Sequence, residues 1–160
     1  MVLLLKNLLF TLVVPGTVGV YVPLLLARDR PPASGLVFLL ALALLAMGGA
    51  MYAWCVWDFA TFGRGTPAAI DAPKRLVVRG LYQYTRNPMY VGVLTLLIGW
   101  TVMFQATTLL IYTFCVGIAF HLFVVFYEER RLRQQFGAEY HDYCGYVGRW
   151  LPRFRRRQAL

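Results

Sequence analysis

Four long apolar segments, separated by polar segments, dominate the chain. A helix needs about 20 mostly apolar residues to cross the hydrocarbon core of a bilayer. The pattern predicts four membrane-spanning helices, at residues 8–27, 35–57, 88–104 and 109–127. The last two form a tight hairpin, because no Lys, Arg, Asp or Glu lies between Asn87 and Tyr127. We therefore expect an all-α integral membrane protein that forms a single domain over residues 1–160.

The first apolar segment contains Pro15, Gly16 and Pro23. These residues predict a bent helix, which lipid tolerates when neighbouring groups pair with the freed carbonyls. A basic region before the segment and a small-residue cleavage site after it are both missing, so a signal peptide is not indicated. We expect a retained membrane span.

The composition agrees with this picture, because 59% of the residues are hydrophobic and only 14% are charged. Soluble domains carry about 25% charged residues, and disordered chains lack such an excess of apolar residues. An ordinary soluble domain and a disordered chain are therefore both excluded.

The net charge of +9 orients the spans. Of the 16 Lys and Arg residues, all but Arg28 and Arg30 lie before the first span or in the segments 58–87 and 128–160. Positive residues in short loops mark the cytoplasmic side, so we expect these two segments and both termini to be cytoplasmic. The basic run at 153–157 is typical of contacts with anionic lipid headgroups. Nucleic acid is not an expected partner, because the positive residues follow the spans rather than one soluble face.

Two common kinds of site are not indicated. Cys55, Cys115 and Cys144 have neither metal-ligand nor redox spacing, so no metal site is predicted. The glycines of Gly63-Arg64-Gly65 follow no predicted strand and lack a third glycine in register, so they do not form a dinucleotide fingerprint.

The first polar segment ends in the run R-N-P-M-Y-V-G at residues 86–92. Asn87 is a favourable N-cap and Pro88 suits the first helical position. A helix N-terminus attracts anions, so Arg86 beside it is a candidate clamp for a carboxylate, and Gly92 permits a close approach. An ordinary capped helix with a snorkelling arginine explains the same residues.

The second polar segment begins with Glu128 and Glu129, directly after the last span. Ionisable residues at membrane depth are functional candidates, and His121 lies seven residues earlier, on the same face of a regular helix. The alternatives are a glutamate pair neutralised by nearby arginines and a neutral histidine bonded to another helix. Farther along, an apolar stripe predicts amphipathic helices on the membrane surface, interrupted at Gly137; its members are Leu132, Phe136, Tyr140 and Tyr143.

The order of these motifs resembles a known family. The run at 86–92, the paired glutamates, F-G-A-E-Y-H-D-Y at 136–143, and Arg149 with Pro152 are similar to the superfamily of isoprenylcysteine carboxyl methyltransferases and phospholipid methyltransferases. The resemblance covers residues 63–152. It implies an enzyme that uses S-adenosylmethionine in a pocket formed by the cytoplasmic loop and the C-terminal helices.

The resemblance also implies site residues. Those expected to bind the cofactor are Arg86, Asn87, Pro88, Tyr90, Gly92, Glu128, Glu129, Tyr140, Tyr143 and Arg149. Candidate catalytic residues are Arg86, Glu128, Glu129 and His121, the last three because an amine acceptor must lose a proton. The sequence departs from the family at two places. Asn87 stands where the prenylcysteine enzymes usually have histidine, and residues 144–146 (Cys-Gly-Tyr) stand where the eukaryotic carboxyl methyltransferases place an arginine shortly after the position of Tyr143. Both departures argue against a prenylated-protein carboxylate as the acceptor.

The predicted function is methyl transfer from S-adenosylmethionine to a lipid-like or small hydrophobic acceptor, with a carboxylate, amine or thiol as nucleophile. One alternative is an NADPH-dependent reductase of the sterol reductase type, for which Arg75, Arg79 and Arg86 supply basic groups. The other alternative is a lipid-binding membrane protein without enzymatic activity. The oligomeric state is left open.

Overall fold

The computed structural model describes residues 13–63 and 75–153, and in these ranges the chain is helical and contains no β-strand. The five main helices are α1 (Val13–Leu26), α2 (Gly35–Asp58), α3 (Pro88–Phe104), α4 (Thr107–Phe123) and α5 (Glu129–Tyr146). A short 3₁₀ turn at Gly80–Gln83 precedes α3. The all-α prediction is therefore confirmed for the described residues.

The apolar segments predicted the helices closely. α2 begins at Gly35 and α3 extends from Pro88 to Phe104, as expected, whereas α4 begins two residues early, at Thr107. Among the described residues, two helices are long and apolar enough to cross a membrane, Gly35–Phe62 and Thr107–Tyr146. The apolar helices Val13–Leu26 and Pro88–Phe104 are shorter. The beginning of the predicted first span, residues 8–12, lies outside the described residues.

Helix α1 contains a π-helical turn at Thr17–Tyr21. Pro23 has no N–H, so it cannot donate to the carbonyl of Gly19 four residues earlier or of Val18 five residues earlier. Side chains from two other helices take its place: Trp100 Nε1 donates to Gly19 O at 2.9 Å, and Tyr112 Oη donates to Val18 O at 3.0 Å. Neighbouring helices thus satisfy the carbonyls that the proline leaves free, as the sequence predicted.

Helices α2 and α3 make the most extensive helix–helix contact in the described structure. They approach at Gly48 and Gly92, where a Cβ atom on Gly48 would lie 2.7 Å from the carbonyl oxygen of Gly92. Gly99 makes a similar approach to Leu45. Because membrane helices associate through close backbone packing at small residues, these glycines define how α2 and α3 cross.

Helix α4 continues through a π-helical segment, Val124–Glu128, into α5. This wider segment changes the register between His121 and Glu128, because π-helical hydrogen bonds span five residues instead of four. Farther along, Gly137 has φ +51°, so the predicted interruption of α5 is confirmed. The apolar stripe of α5 packs against Leu76 and Val78, in the segment before α3.

Candidate active site

A cavity of about 510 Å³ lies between α1, α2, α3, α4 and the start of α5. Charged and hydroxyl-bearing side chains line one end: Arg86, Glu128, Glu129, Tyr140 and Tyr143. Much of the remaining lining is apolar and includes Val14, Pro15, Val18, Val93, Phe120 and Phe123. One cavity therefore joins a polar site to a region enclosed by apolar helices.

The segment before α3 is anchored at both ends. Asp58, at the end of α2, is buried and forms an ion pair with Arg79 at 3.2 Å. The following residue, Gly80, has φ +56°, and a Cβ atom there would collide with the Asp58 carboxylate. At the other end, the Arg86 N–H donates to Gly148 O at 2.9 Å. These contacts fix the backbone that carries Arg86.

Asn87 has a different role from the predicted helix cap. It occupies the N-cap position of α3, but its side chain makes no capping hydrogen bond. Its Nδ2 donates instead to the backbone oxygen of Arg149 at 3.0 Å. The residue after Asn87, Pro88, is the first of α3 and is buried, as its fixed φ angle favours.

Glu129 is the centre of an arginine cluster. Arg149 contacts it with two nitrogens, Nε to Oε1 at 2.7 Å and Nη2 to Oε2 at 3.0 Å, and Arg86 Nη1 lies 3.1 Å from Oε1. Arg133 makes a longer contact of 3.5 Å. Burial raises the pKa of this carboxyl, but the hydrogen bonds from Arg149 and the charge of Arg86 outweigh it and hold the pKa below its usual value. Glu129 is therefore a fixed anion.

Glu128, the adjacent residue, has a different environment. It follows the apolar part of the helix, and its Oε2 accepts a hydrogen bond of 2.8 Å from the Tyr90 hydroxyl. Burial raises the pKa of Glu128 above its usual value, although the Tyr90 hydrogen bond opposes the shift. A carboxyl whose pKa is moved toward neutrality is suited to exchange a proton with a bound group.

Arg86, from the loop before α3, contacts several side chains of α5 at the polar end of the cavity. Its Nη1 contacts Cys144 Sγ at 2.7 Å and Tyr140 Oη at 3.5 Å, in addition to Glu129. The side chain is only 9% exposed, and its Nε makes no hydrogen bond in the described structure. Because a buried donor without a partner is costly, this Nε is suited to an anionic group of a ligand in the cavity.

Other expected site residues lie outside the cavity lining. The His121 ring is exposed, and its Nδ1 accepts a hydrogen bond from Trp150 Nε1 at 3.2 Å. The π-helical segment between His121 and Glu128 explains why they do not share a face, which corrects the expectation of a common stripe. Gly92 contacts the backbone of α2, and the Arg149 side chain contacts the cavity-lining Glu129 without lining the cavity itself.

Three further residues belong to this arrangement although the sequence did not single them out for the site. Thr85 bonds to the backbone of Arg149, Cys144 contacts Arg86, and Tyr82 lines the cavity and accepts a hydrogen bond from Tyr143 Oη at its carbonyl. Each partner lies about 60 residues away along the chain. The sequence offered one signal for two of them, their position next to an expected site residue: Thr85 precedes Arg86, and Cys144 follows Tyr143.

Comparison with known proteins assigns the family. A search among curated proteins finds none that matches this sequence. The family model described as phospholipid methyltransferase matches residues 36–139, well over half of the chain. The matched region includes α2, α3, α4 and both cavity glutamates, and it agrees with the resemblance noted from the motifs. The chain therefore belongs to the phospholipid methyltransferase family.

Proposed function

We propose that this protein transfers a methyl group from S-adenosylmethionine to a lipid-like or small hydrophobic acceptor at the membrane. Family membership implies a membrane methyltransferase. The observation that supports the finer proposal is the cavity, in which an arginine–glutamate cluster adjoins a wall of apolar side chains. A polar cofactor and an apolar acceptor need such neighbouring environments to meet at one point.

The residues at the polar end fit the methyl donor. The free Nε of buried Arg86 suits the donor's carboxylate, and Glu128, which accepts one hydrogen bond from Tyr90, has acceptor capacity left for its ammonium group. Tyr140 and Tyr143 offer ring faces to a cationic sulfonium. When bound, the donor supplies an electrophilic methyl group.

The apolar part of the cavity suits the acceptor. Phe120 and Phe123 of α4 and Val93 of α3 form a wall that a hydrocarbon group enters with a gain in hydrophobic burial. The nucleophile of an acceptor in this wall lies toward Glu128. An amine would pass its proton to that carboxylate, whereas a carboxylate or thiolate acceptor needs no base. Glu129 is less suited to this step, because arginines already hold its charge.

The proposal includes a topology. Four spans, with the segments 58–87 and 128–160 on the cytoplasmic side, bring the polar end of the cavity to the face where a soluble donor is available. Positive residues flank this end, which agrees with the distribution of Lys and Arg along the sequence. The basic C-terminal run at 153–157 would contact anionic lipid headgroups, but these residues, apart from Arg153, lie outside the described part of the chain.

Calorimetric titration of the purified protein in detergent with S-adenosylhomocysteine tests the proposal. We expect saturable binding that Arg86→Gln weakens at least about tenfold, because a charge-assisted contact is lost. Arg130→Gln, a matched change at an exposed arginine of α5, should bind like the wild type. Labelling of membrane lipids from methyl-deuterated S-adenosylmethionine then identifies the acceptor.

Two outcomes would overturn the proposal. One is a folded wild-type protein that does not bind S-adenosylhomocysteine. The other is thermal stabilisation by NADPH but not by S-adenosylhomocysteine, which would favour a reductase.

A further inference from the structure

Thr85 is a buried residue directly before Arg86, and its hydroxyl group bonds to the C-terminal segment. Its Oγ1 donates a hydrogen bond of 3.0 Å to the backbone oxygen of Arg149. The same oxygen atom also accepts the side-chain amide of Asn87 at 3.0 Å. Two side chains from one loop therefore hold a single carbonyl group that lies more than 60 residues away in the sequence.

Further backbone contacts fix the same junction. Thr85 and Gly148 form an isolated parallel β-bridge, and the Arg86 N–H donates to Gly148 O at 2.9 Å. A Cβ atom on Gly148 would collide with the backbone oxygen of Leu151, so the tight path of this segment requires a residue without a side chain. The backbone of residues 148–149 is thus positioned by the loop that carries Arg86.

From this fixed backbone, the side chain of Arg149 contacts the carboxylate of Glu129. It is 33% exposed, and it reaches inward to hold both carboxylate oxygens of Glu129. A long, partly exposed arginine loses conformational entropy when it is held in one geometry. Fixing its backbone reduces the cost, because fewer torsions are then left to order.

We propose that Thr85 is a positioning residue of the methyl-donor site: its hydrogen bond to the Arg149 carbonyl holds the Arg149 guanidinium on Glu129. Thr85 does not line the cavity, and its shorter hydrogen bond is the one to Arg149 O, since the N–H of Asn87 donates to the same hydroxyl at 3.4 Å. The expected effect of Thr85 on binding of the methyl donor rests on the proposed function. The structural part of the inference, the link from Thr85 to the Glu129 ion pair, stands without a ligand.

The first experiment measures S-adenosylhomocysteine binding to Thr85→Val and Thr85→Ser. Thr85→Val keeps the shape but removes the hydroxyl, which donates to Arg149 O at 3.0 Å and accepts a longer bond from the Asn87 N–H at 3.4 Å. We expect affinity to fall about three- to tenfold, the range for loss of neutral hydrogen bonding. Thr85→Ser keeps the hydroxyl and should bind like the wild type. Thr95→Val is the matched control, because the Thr95 hydroxyl bonds to Val91 O within its own helix.

The second experiment repeats Thr85→Val in an Arg149→Lys background. A lysine keeps the charge but cannot make the two-nitrogen contact with Glu129. If Thr85 acts through that contact, Thr85→Val should then lower the affinity less than twofold further. The same loss in both backgrounds would mean that the two residues act independently and would overturn the inference.

The third experiment needs no ligand and follows the melting temperature of Thr85→Val against pH. The charged groups in contact with Glu129 are Arg86, Arg133 and Arg149; Glu128 is adjacent to it, and the Tyr140 hydroxyl also interacts with it. If Thr85 supports this ion-pair cluster, its variant should be less stable than the wild type at pH 7, and the difference in melting temperature should narrow in acid as Glu129 takes up a proton. A purely local loss of a neutral hydrogen bond would leave a gap that does not depend on pH, and that result would overturn the inference.

These readouts separate the two proposals. A wild type that does not bind S-adenosylhomocysteine overturns the proposed function, while the pH experiment still decides the role of Thr85. A wild type that binds, together with a Thr85→Val variant that binds equally well, overturns only the inference. If Thr85→Val does not fold, Thr85→Cys replaces it in each experiment, because a thiol of similar size is a much weaker donor.

Discussion

The contact between α2 and α3 and the cluster around Glu129 are held together by opposite means. Gly48 and Gly92 bring two helix backbones together because they carry no side chain. Around Glu129, three long arginine side chains converge from the loop before α3, from α5 and from the C-terminal segment. The α2–α3 contact thus depends on residues without side chains, whereas the Glu129 cluster depends on charged side chains from distant parts of the sequence.

This difference has an energetic consequence. A helix pair in lipid depends on shape, so an added methyl group is harmful only where the other backbone is close. A buried ion-pair cluster depends on balance, so removal of one member leaves the charge of the others uncompensated. The α2–α3 contact should therefore be sensitive to added volume, and the Glu129 cluster to lost charge.

The largest effect on stability is expected for Glu129→Gln, which disrupts the arginine cluster around Glu129. The change leaves buried Arg86 and half-buried Arg149 without their anion. Removing one partner of a buried ion pair costs about 3 kcal/mol or more of unfolding free energy. We expect a large fall in melting temperature, measured by thermal unfolding in detergent, together with loss of S-adenosylhomocysteine binding.

Glu139→Gln is the matched control for that change. Glu139 is an exposed acid on the same helix, α5. Its replacement should change the free energy of unfolding by no more than about 0.5 kcal/mol, and the melting temperature should therefore change little. A Glu129→Gln variant as stable as this control would mean that the arginine cluster contributes nothing to the fold, contrary to the comparison.

A smaller effect is expected for Gly48→Ala on the apolar side. The new Cβ atom would lie 2.7 Å from Gly92 O and from Leu96 N, so the helices must separate, at a cost of about 1–3 kcal/mol. Gly49→Ala is the control, because a Cβ atom there meets nothing within 4 Å and alanine favours a helix. Melting temperatures of the two variants in detergent should move in opposite directions. Equal destabilisation would show that helix crossing does not depend on the close approach at Gly48.

The fold could be predicted from the sequence to the extent that it depends on local hydrophobicity. The starts of α2 and α3 follow from Gly35 and Pro88, where an apolar run meets a residue that favours a helix boundary. The contact at Gly48 was not predictable, because many glycines occur in apolar helices and only the crossing geometry selects one. The π-helical segment after α4 also gave no local signal, and it changed the face on which His121 lies.

The candidate site followed from motifs only in part. Arg86, Glu128 and Glu129 were expected together, and the structure does bring them to one cavity. The sequence did not separate the two glutamates, because their difference arises from Tyr90 on one side and Arg149 on the other. Thr85 was missed for the same reason: its partner is a backbone carbonyl, which leaves no trace in the pattern of residue types.

The smallest effect is expected for Arg133→Ala, which sharpens the comparison within the polar cluster when it is set beside Arg149→Ala. Arg149 makes two short contacts with Glu129 and is one-third exposed, whereas Arg133 makes one contact of 3.5 Å and is 64% exposed. Hydrogen bonds to charged groups contribute about 1.5–3 kcal/mol, and exposed ion pairs less than about 1 kcal/mol. At pH 7 the melting temperature should therefore fall clearly for Arg149→Ala and little for Arg133→Ala.

The pH dependence of that difference identifies Glu129 as its source. The pKa of Glu129 is lowered in the folded protein, so its ionisation stabilises the fold fully above the ordinary glutamate pKa of about 4.3. This contribution is lost as the pH falls through the lowered pKa. Arg149→Ala brings the folded pKa closer to the ordinary value and so removes most of the contribution. The gap in melting temperature between wild type and Arg149→Ala should then be widest near pH 7 and narrow below about pH 4. A gap that stays constant into acid would mean that Arg149 stabilises the fold by packing rather than through the Glu129 carboxylate.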